Sequence, residues 1–450
     1  MSACGSGPRQ LHLNAFLMST GHHEASWRLP QSNSSAGTDV AHFQRLARTA
    51  ERGKLDSIFF ADSPVLHGNV AQRPYGSLEP TVLLAAIAAV TERIGLIATA
   101  STTYNEPYNL TRRLASVDHI SGGRTGWNVV TTAGDAAARN FSLAGQPAHS
   151  ERYERAAEFL DVARRLWDSW EDEAVIADKA TGVWADSNRV HPVNHEGRYF
   201  QVEGALDVPR SVQGRPVIVQ AGSSENGKAF AARYAEAVFT AHQTLSDAQD
   251  FYADLKQRTT AAGRNPDSIK ILPGIVPVIG PTEAEARRLE QELDGLILPE
   301  HARRQLAGVL RVTPESLELD RELPADLPPE DQIEGSKSRY TLIVNLARSE
   351  RLTVRQLIGR LGGGRGHRTI SGTPEQVADA IQSWFEVGAA DGFNIMPPVL
   401  PSGLDIFVDQ VVPILQNRGL FRTEYTGRTL REHYGLTKPV NSFERVPQPA

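Results

Sequence analysis

Eight short runs of β-forming residues, spaced along the chain with helical patterns between them, restrict this sequence more than any other feature. They are Leu11–Phe16, Ser57–Ala61, Ile94–Thr99, Gly126–Thr131, Val217–Gln220, Ala237–Thr240, Ile269–Val278 and Phe393–Met396. Strands that alternate with helices pair in parallel, because each connection has to cross over the sheet. Eight is the number that closes such a series on itself. The sequence therefore predicts an α/β fold, a (β/α)8 TIM barrel with insertions. A length of 450 residues is compatible with two or three ordinary domains or with one elaborated barrel. The strand count favours one barrel over residues 11–436, with a flexible leader at 1–10 and a C-terminal tail at 437–450.

Helices are expected at Asp39–Gly53, Pro80–Thr91, Ser150–Trp170, Glu225–Glu236, Leu245–Ala262, Thr282–Asp294 and Thr373–Gly388. The first has Thr38 or Asp39 as its N-cap, and the last opens with a cap, a proline and a Gln at the third helical position. Two segments, 171–215 and 295–370, are longer than a minimal barrel needs. Connections of that length are functional covers or disordered.

Bulk properties exclude several functions. With 22% charged residues and a net charge of -6, the chain lacks the basic excess of a nucleic-acid binder. The only cysteine, Cys4, can build neither a disulfide framework nor a thiolate metal site, which fits a reducing cytoplasm. No secretory signal is evident, and the most apolar window, Val82–Ala100, is broken by Thr91-Glu92-Arg93. A cytoplasmic protein without a membrane span is expected.

Ligands of such barrels bind at the C-terminal ends of the strands. Asp62 follows the second strand, Thr99 ends the third, and Asn128 puts a polar side chain into the fourth, which is fed by the turn Ser121-Gly122-Gly123. The fifth strand runs into Gly222-Ser223-Ser224 and then a helix, whose free N–H groups favour an anion. Phosphate binding and simple helix capping both remain open there. His149 and Tyr153, four residues apart, share a helix face. The run Gly362–His367 lacks the closing Lys-Ser/Thr pair of a phosphate loop, and reads as a mobile loop beside the pocket. His22-His23-Glu24, His191 and His195 lack metal-site spacing, so no metal is expected.

The segments GHHEASWR (21–28), FFAD (59–62), EPTVLLAAIAAVTERIGLIATASTTYNEPY (79–108), LASVDHISGGRTGWNVVTT (114–132), ERYERAAEFLDVARRLWDSWED (151–172) and GRPVIVQAGSSENGKAFAARYAEAVFTA (214–241) carry a resemblance, as do GTPEQVADAIQSWF (372–385) and residues 390–431. Together they closely resemble the bacterial luciferase-like flavin monooxygenases, in particular the group of nitrilotriacetate monooxygenase, dibenzothiophene-sulfone monooxygenase and pristinamycin IIA synthase. The resemblance implies the same barrel and an oxygenase using reduced FMN from a separate NAD(P)H:flavin reductase. A flavin C4a-hydroperoxide formed with O2 would oxygenate a small organic substrate. It places FMN contacts at Asp62, Thr99, His149, Tyr153 and Ser223, with Ser224 adjacent and Asn128 added by its strand position. His22, His23, Trp27, Arg365 and His367 are candidate substrate contacts, and no catalytic acid or base is named. A homo-oligomer, dimer or tetramer, is implied. A deazaflavin-dependent oxidoreductase and a non-catalytic flavin-binding protein are the alternatives.

Overall fold

The computed structural model describes residues 9–66, 70–72, 74, 78–132, 134–329, 332–333 and 337–444. Its strands are β1 (His12–Phe16), β2 (Ser57–Phe60), β3 (Gly95–Ser101), β4 (Thr125–Val130), β5 (Val217–Ala221), β6 (Ala237–Thr240), β7 (Lys270–Ile279), β8 (Arg368–Gly372) and β9 (Gly392–Ile395). All except β8 form a closed parallel ring in chain order, with β9 pairing back onto β1. The architecture is a (β/α)8 barrel, and its eight strands are the eight expected. Inside it Phe16, Phe59, Ile97, Val219, Leu272 and Val276 pack together. Leu13, Ile58 and Leu96, at alternate positions, face the helices.

The helices are α1 (Val40–Arg52), α2 (Pro80–Ala88), α3 (Pro107–Ser121), α4 (Asp135–Asn140), α5 (His149–Asp168), α6 (Glu225–Tyr234), α7 (Leu245–Ala261), α8 (Glu283–Gly295), α9 (Pro299–Leu310), α10 (Lys337–Ser349), α11 (Val354–Gly364) and α12 (Pro374–Glu386). Asp39 caps α1 by accepting from Ala41 and His42 N–H. Thr373 and Gln376 form the reciprocal capping box on α12. The unanticipated α3 begins at Pro107 and stops at Gly122, whose φ of 70° terminates it.

The long segments contain more structure than loops. Val175–Asp178 and Val183–Ala185 pair as an antiparallel hairpin in the first. In the second, α9, α10 and α11 enclose a core of their own that includes Leu306, Leu310, Ile343 and Leu357. Gly362–Gly364 are not a mobile loop: they form the last turn of α11, which ends at Arg365 in the left-handed region (φ 49°). A Cβ on Gly362 would lie 2.4 Å from Ile297 Cδ1, so glycine there lets α11 pack closely. β8 follows directly and extends the sheet beside the outer half of the ten-residue β7.

Residues 421–436 close the N-terminal end of the barrel, inserting Leu430 and Tyr434 among the interior side chains. Residues beyond them dock on the flank, where Asn441 donates to the carbonyls of Asp168 and Trp170. Among the described residues no helix is long and apolar enough to cross a membrane, and no group of His, Cys, Asp and Glu could hold a metal ion.

Candidate active site at the C-terminal end of the barrel

The chain leaves β5 through Gly222, whose φ of 142° suits only glycine, and delivers Ser223 and Ser224 to the start of α6. Ser224 Oγ accepts from Gly227 N–H at 3.2 Å, so this serine does cap the helix. The Ser223 hydroxyl has no hydrogen-bond partner among the described residues. From α5, His149 and Tyr153 reach the same point with ring centroids 5.0 Å apart, and Asn226 donates to His149 Nδ1 at 3.1 Å. Burial raises the Tyr153 phenol above its ordinary value, with Ser224 and Arg152 opposing, so it remains a hydrogen-bond donor at neutral pH. Four residues singled out in the sequence thus converge around one helix N-terminus. An anion is the ligand such a convergence favours.

A cavity of about 900 Å³ opens in front of this cluster, lined by His149, Ser223 and His242 on the barrel side and by Thr341 and Asn345 of α10. Deeper in, a cavity of about 200 Å³ shares Ser223, Ala241 and Leu342 with the first and adds Phe239, Arg339, Arg365 and His367. The His367 ring stacks on Phe239, 4.9 Å away and 11° from parallel. Burial, then Arg339 and His242, hold its pKa down to about 3, and burial holds His242 at about 4. Both imidazoles are neutral at pH 7.

Within the barrel, Thr99 and Asn128 are register partners, and Asn128 Nδ2 donates to Thr99 Oγ1 at 2.9 Å. Asn128 Oδ1 is buried without a hydrogen bond among the described residues. Asp62 stands half-buried just past β2, its pKa raised by burial and by Glu79. These three residues line neither cavity.

The pattern shared by luciferase-like monooxygenases matches residues 19–391. The chain belongs to the luciferase-like monooxygenase family. It is 48% identical over 446 residues to the N-acetyl-S-(2-succino)cysteine monooxygenase of Bacillus subtilis (strain 168), covering 98% of this chain and all of that one. Nitrilotriacetate monooxygenase component A of Aminobacter aminovorans is 47% identical over 450 residues, covering 97% and 99%. Among solved structures, a riboflavin lyase crystallised with modified FMN and its substrate riboflavin is 32% identical with a TM-score of 0.83, covering 95% and 96%. Membership makes this luciferase-like chain an enzyme, a flavin-dependent monooxygenase.

The remaining candidates are dispersed. His22 packs edge-on against Phe16 at 4.5 Å inside the barrel mouth. His23 is engaged elsewhere, with Nε2 3.2 Å from Asp294 and Nδ1 accepting from Ala25 N–H. Trp27 lines a small cleft with Leu296 and His301. Only Arg365 and His367 of the substrate candidates reach the inner cavity. Sequence reasoning missed Arg339, Arg368 and His242, which line the two cavities. Arg339 and Arg368 lie in the segment read as an insertion, and no local spacing marks any of the three. The length of that insertion was the available signal.

Proposed function

We propose that the enzyme is the oxygenase half of a two-component system. It takes reduced FMN from a separate NAD(P)H:flavin reductase and uses O2 to oxygenate a small organic substrate. The carrying observation is the convergence of Ser223, Tyr153, His149 and the N-terminus of α6, a seat suited to a phosphate dianion. The residues present fit the rest of the cofactor as well. Asn128 Oδ1, buried and unpartnered among the described residues, is an acceptor for a flavin N–H, and Thr99 and Asp62 stand at neighbouring strand ends. The riboflavin lyase relative carries modified FMN, and the nitrilotriacetate relative is named a component A, which implies a second component. Bound reduced flavin would supply the oxygen chemistry. The protein's own residues would then anchor its phosphate, fix its ring, exclude water and place the substrate.

FMN titration followed by flavin fluorescence tests the reading. Ser223→Ala should weaken binding by roughly five- to tenfold, the loss of one hydrogen bond to a charged group. Coupled with a flavin reductase, the enzyme should place oxygen from 18O2 in a product. Turnover with a reduced deazaflavin and none with FMN would overturn the assignment.

A further inference from the structure

Among the described residues, the inner cavity is lined by two guanidinium groups and no carboxylate. Its lining is Ala221, Gly222, Ser223, Phe239 to Ala241, Arg339, Leu342 and Arg365 to His367. Arg365, at the end of α11, has a buried Nε without a hydrogen-bond partner, and His367 Nδ1 is in the same condition. Arg339, on α10, lines the same cavity, with its residue as a whole exposed and no acidic side chain beside it among the described residues lining that cavity. Neither guanidinium makes a hydrogen bond or an ion pair among the described residues. Both also line an adjoining cavity of about 170 Å³, where Glu24 is the one acidic residue among the described lining residues. The two arginines therefore stand at the junction of two small spaces.

Other cations nearby are provided for. Arg152 donates to the Thr132 carbonyl at 2.8 Å, Arg360 pairs with Glu350 at 3.2 Å, and Arg368 lies over the Trp384 ring at 4.9 Å. A partly buried cation such as Arg365 left without an anion is unfavourable, and a second one lining the same cavity adds repulsion. Such a pair is stable in its working state when a ligand brings the missing negative charge. The planar guanidinium fork matches a carboxylate with two parallel hydrogen bonds. A flavin is too large for the inner cavity, and its phosphate has a seat at Ser223 and the start of α6.

We propose that Arg339 and Arg365 form the carboxylate clamp of the substrate site, and that the substrate is a compact organic acid bearing at least two carboxylates. Neutral His367, stacked on Phe239, forms part of the wall of the clamp's cavity, which Ser223 also lines. This inference rests on the flavin-monooxygenase reading and narrows it to a substrate class.

Calorimetric titration of FMN-loaded enzyme with nitrilotriacetate, ethylenediaminetetraacetate and N-acetyl-S-(2-succino)cysteine tests it, with nitrilotriacetate trimethyl ester as the uncharged control. At least one acid should bind and the ester should not. Arg339→Gln and Arg365→Gln should each weaken that acid by roughly ten- to a hundredfold, with Arg→Lys less damaging. FMN affinity should stay within about twofold, since neither arginine belongs to the phosphate seat. Three results would overturn the clamp: no acid binding, equal acid binding by wild type and variants, or variants that lose FMN and keep the acid. Parallel titration of flavin-free enzyme separates the two proposals. Acid binding that survives while wild type fails to bind FMN sinks the cofactor assignment and leaves the clamp standing.

Discussion

Arg124, at the N-terminal end of the barrel, and Arg339, at its C-terminal end, carry the same guanidinium into different surroundings. Arg124 is 2% exposed and donates to five acceptors: the carbonyls of Ser121, Ile94, Ala88 and Thr91 and the Thr91 hydroxyl. Around it other charges are equally engaged. Buried Asp56 pairs with Arg422 at 2.6 Å and His12 at 3.1 Å and accepts from Leu13 N–H, while Arg431 pairs with Glu236. Arg339 and Arg365 have no such partners among the described residues. Charge at the closed end is spent on holding β2, β3, β5 and the C-terminal segment together. At the open end two positive charges are left for something that arrives from outside.

The largest effect that could break this contrast is expected at Asp56. Burial alone would raise its pKa, but Arg422 and then His12 outweigh that and lower it, so it is ionised at neutral pH. Asp56→Ala strands Arg422 against the barrel floor, and breaking a buried pair in this way costs about 3–5 kcal/mol. Urea unfolding should show the loss directly. A midpoint unchanged from wild type would mean that the closed end is not held by its ion pairs.

A smaller effect concerns pH. His367 has its pKa lowered to about 3, whereas the unfolded chain takes up that proton near the ordinary histidine value. Between those values the unfolded state binds more protons, so stability rises with pH and falls as the solution is acidified through the window. The slope for one such group approaches about 1.4 kcal/mol per pH unit. His367→Gln should flatten the stability profile below about pH 6, after subtraction of the wild-type curve. A bound dicarboxylate, by stabilising the imidazolium, should flatten it too. Identical profiles for wild type and His367→Gln would remove His367 from the buried wall.

The sequence announced the barrel because its strands are buried on both faces and read as continuous apolar runs between capped helices. Thr373-Pro374-Glu375-Gln376 marked the start of α12 to the residue. The turn at Gly222–Ser224 was legible for the same reason: its glycine, hydroxyls and helix start are neighbours in the chain. β8 was hidden because Arg-Thr-Ile-Ser-Gly has no apolar run and pairs beside β7 outside the ring. Gly362–Gly364 misled, since glycine lowers helix propensity and only the packing of Ile297 against α11 explains why the helix continues. Arg339 was invisible in principle. What distinguishes it is the partner it lacks, and that depends on how α10 settles over β5 and β6.

The smallest effect on stability should come from the residues with the most to say about function. Replacing a paired buried arginine strands its acceptors, whereas Arg339 has none to strand among the described residues. Arg339→Gln should therefore leave the unfolding free energy within about 0.5 kcal/mol of wild type, or raise it as repulsion from Arg365 is relieved. The same substitution should abolish most of the stabilisation that a bound acid confers, because a ligand stabilises only in proportion to its affinity for the folded state. Thermal melts with and without nitrilotriacetate measure both quantities on one sample. A large loss of stability in the ligand-free variant would show that Arg339 is structural like Arg124. The two ends of the barrel would then differ in location alone, and not in what their positive charge is for.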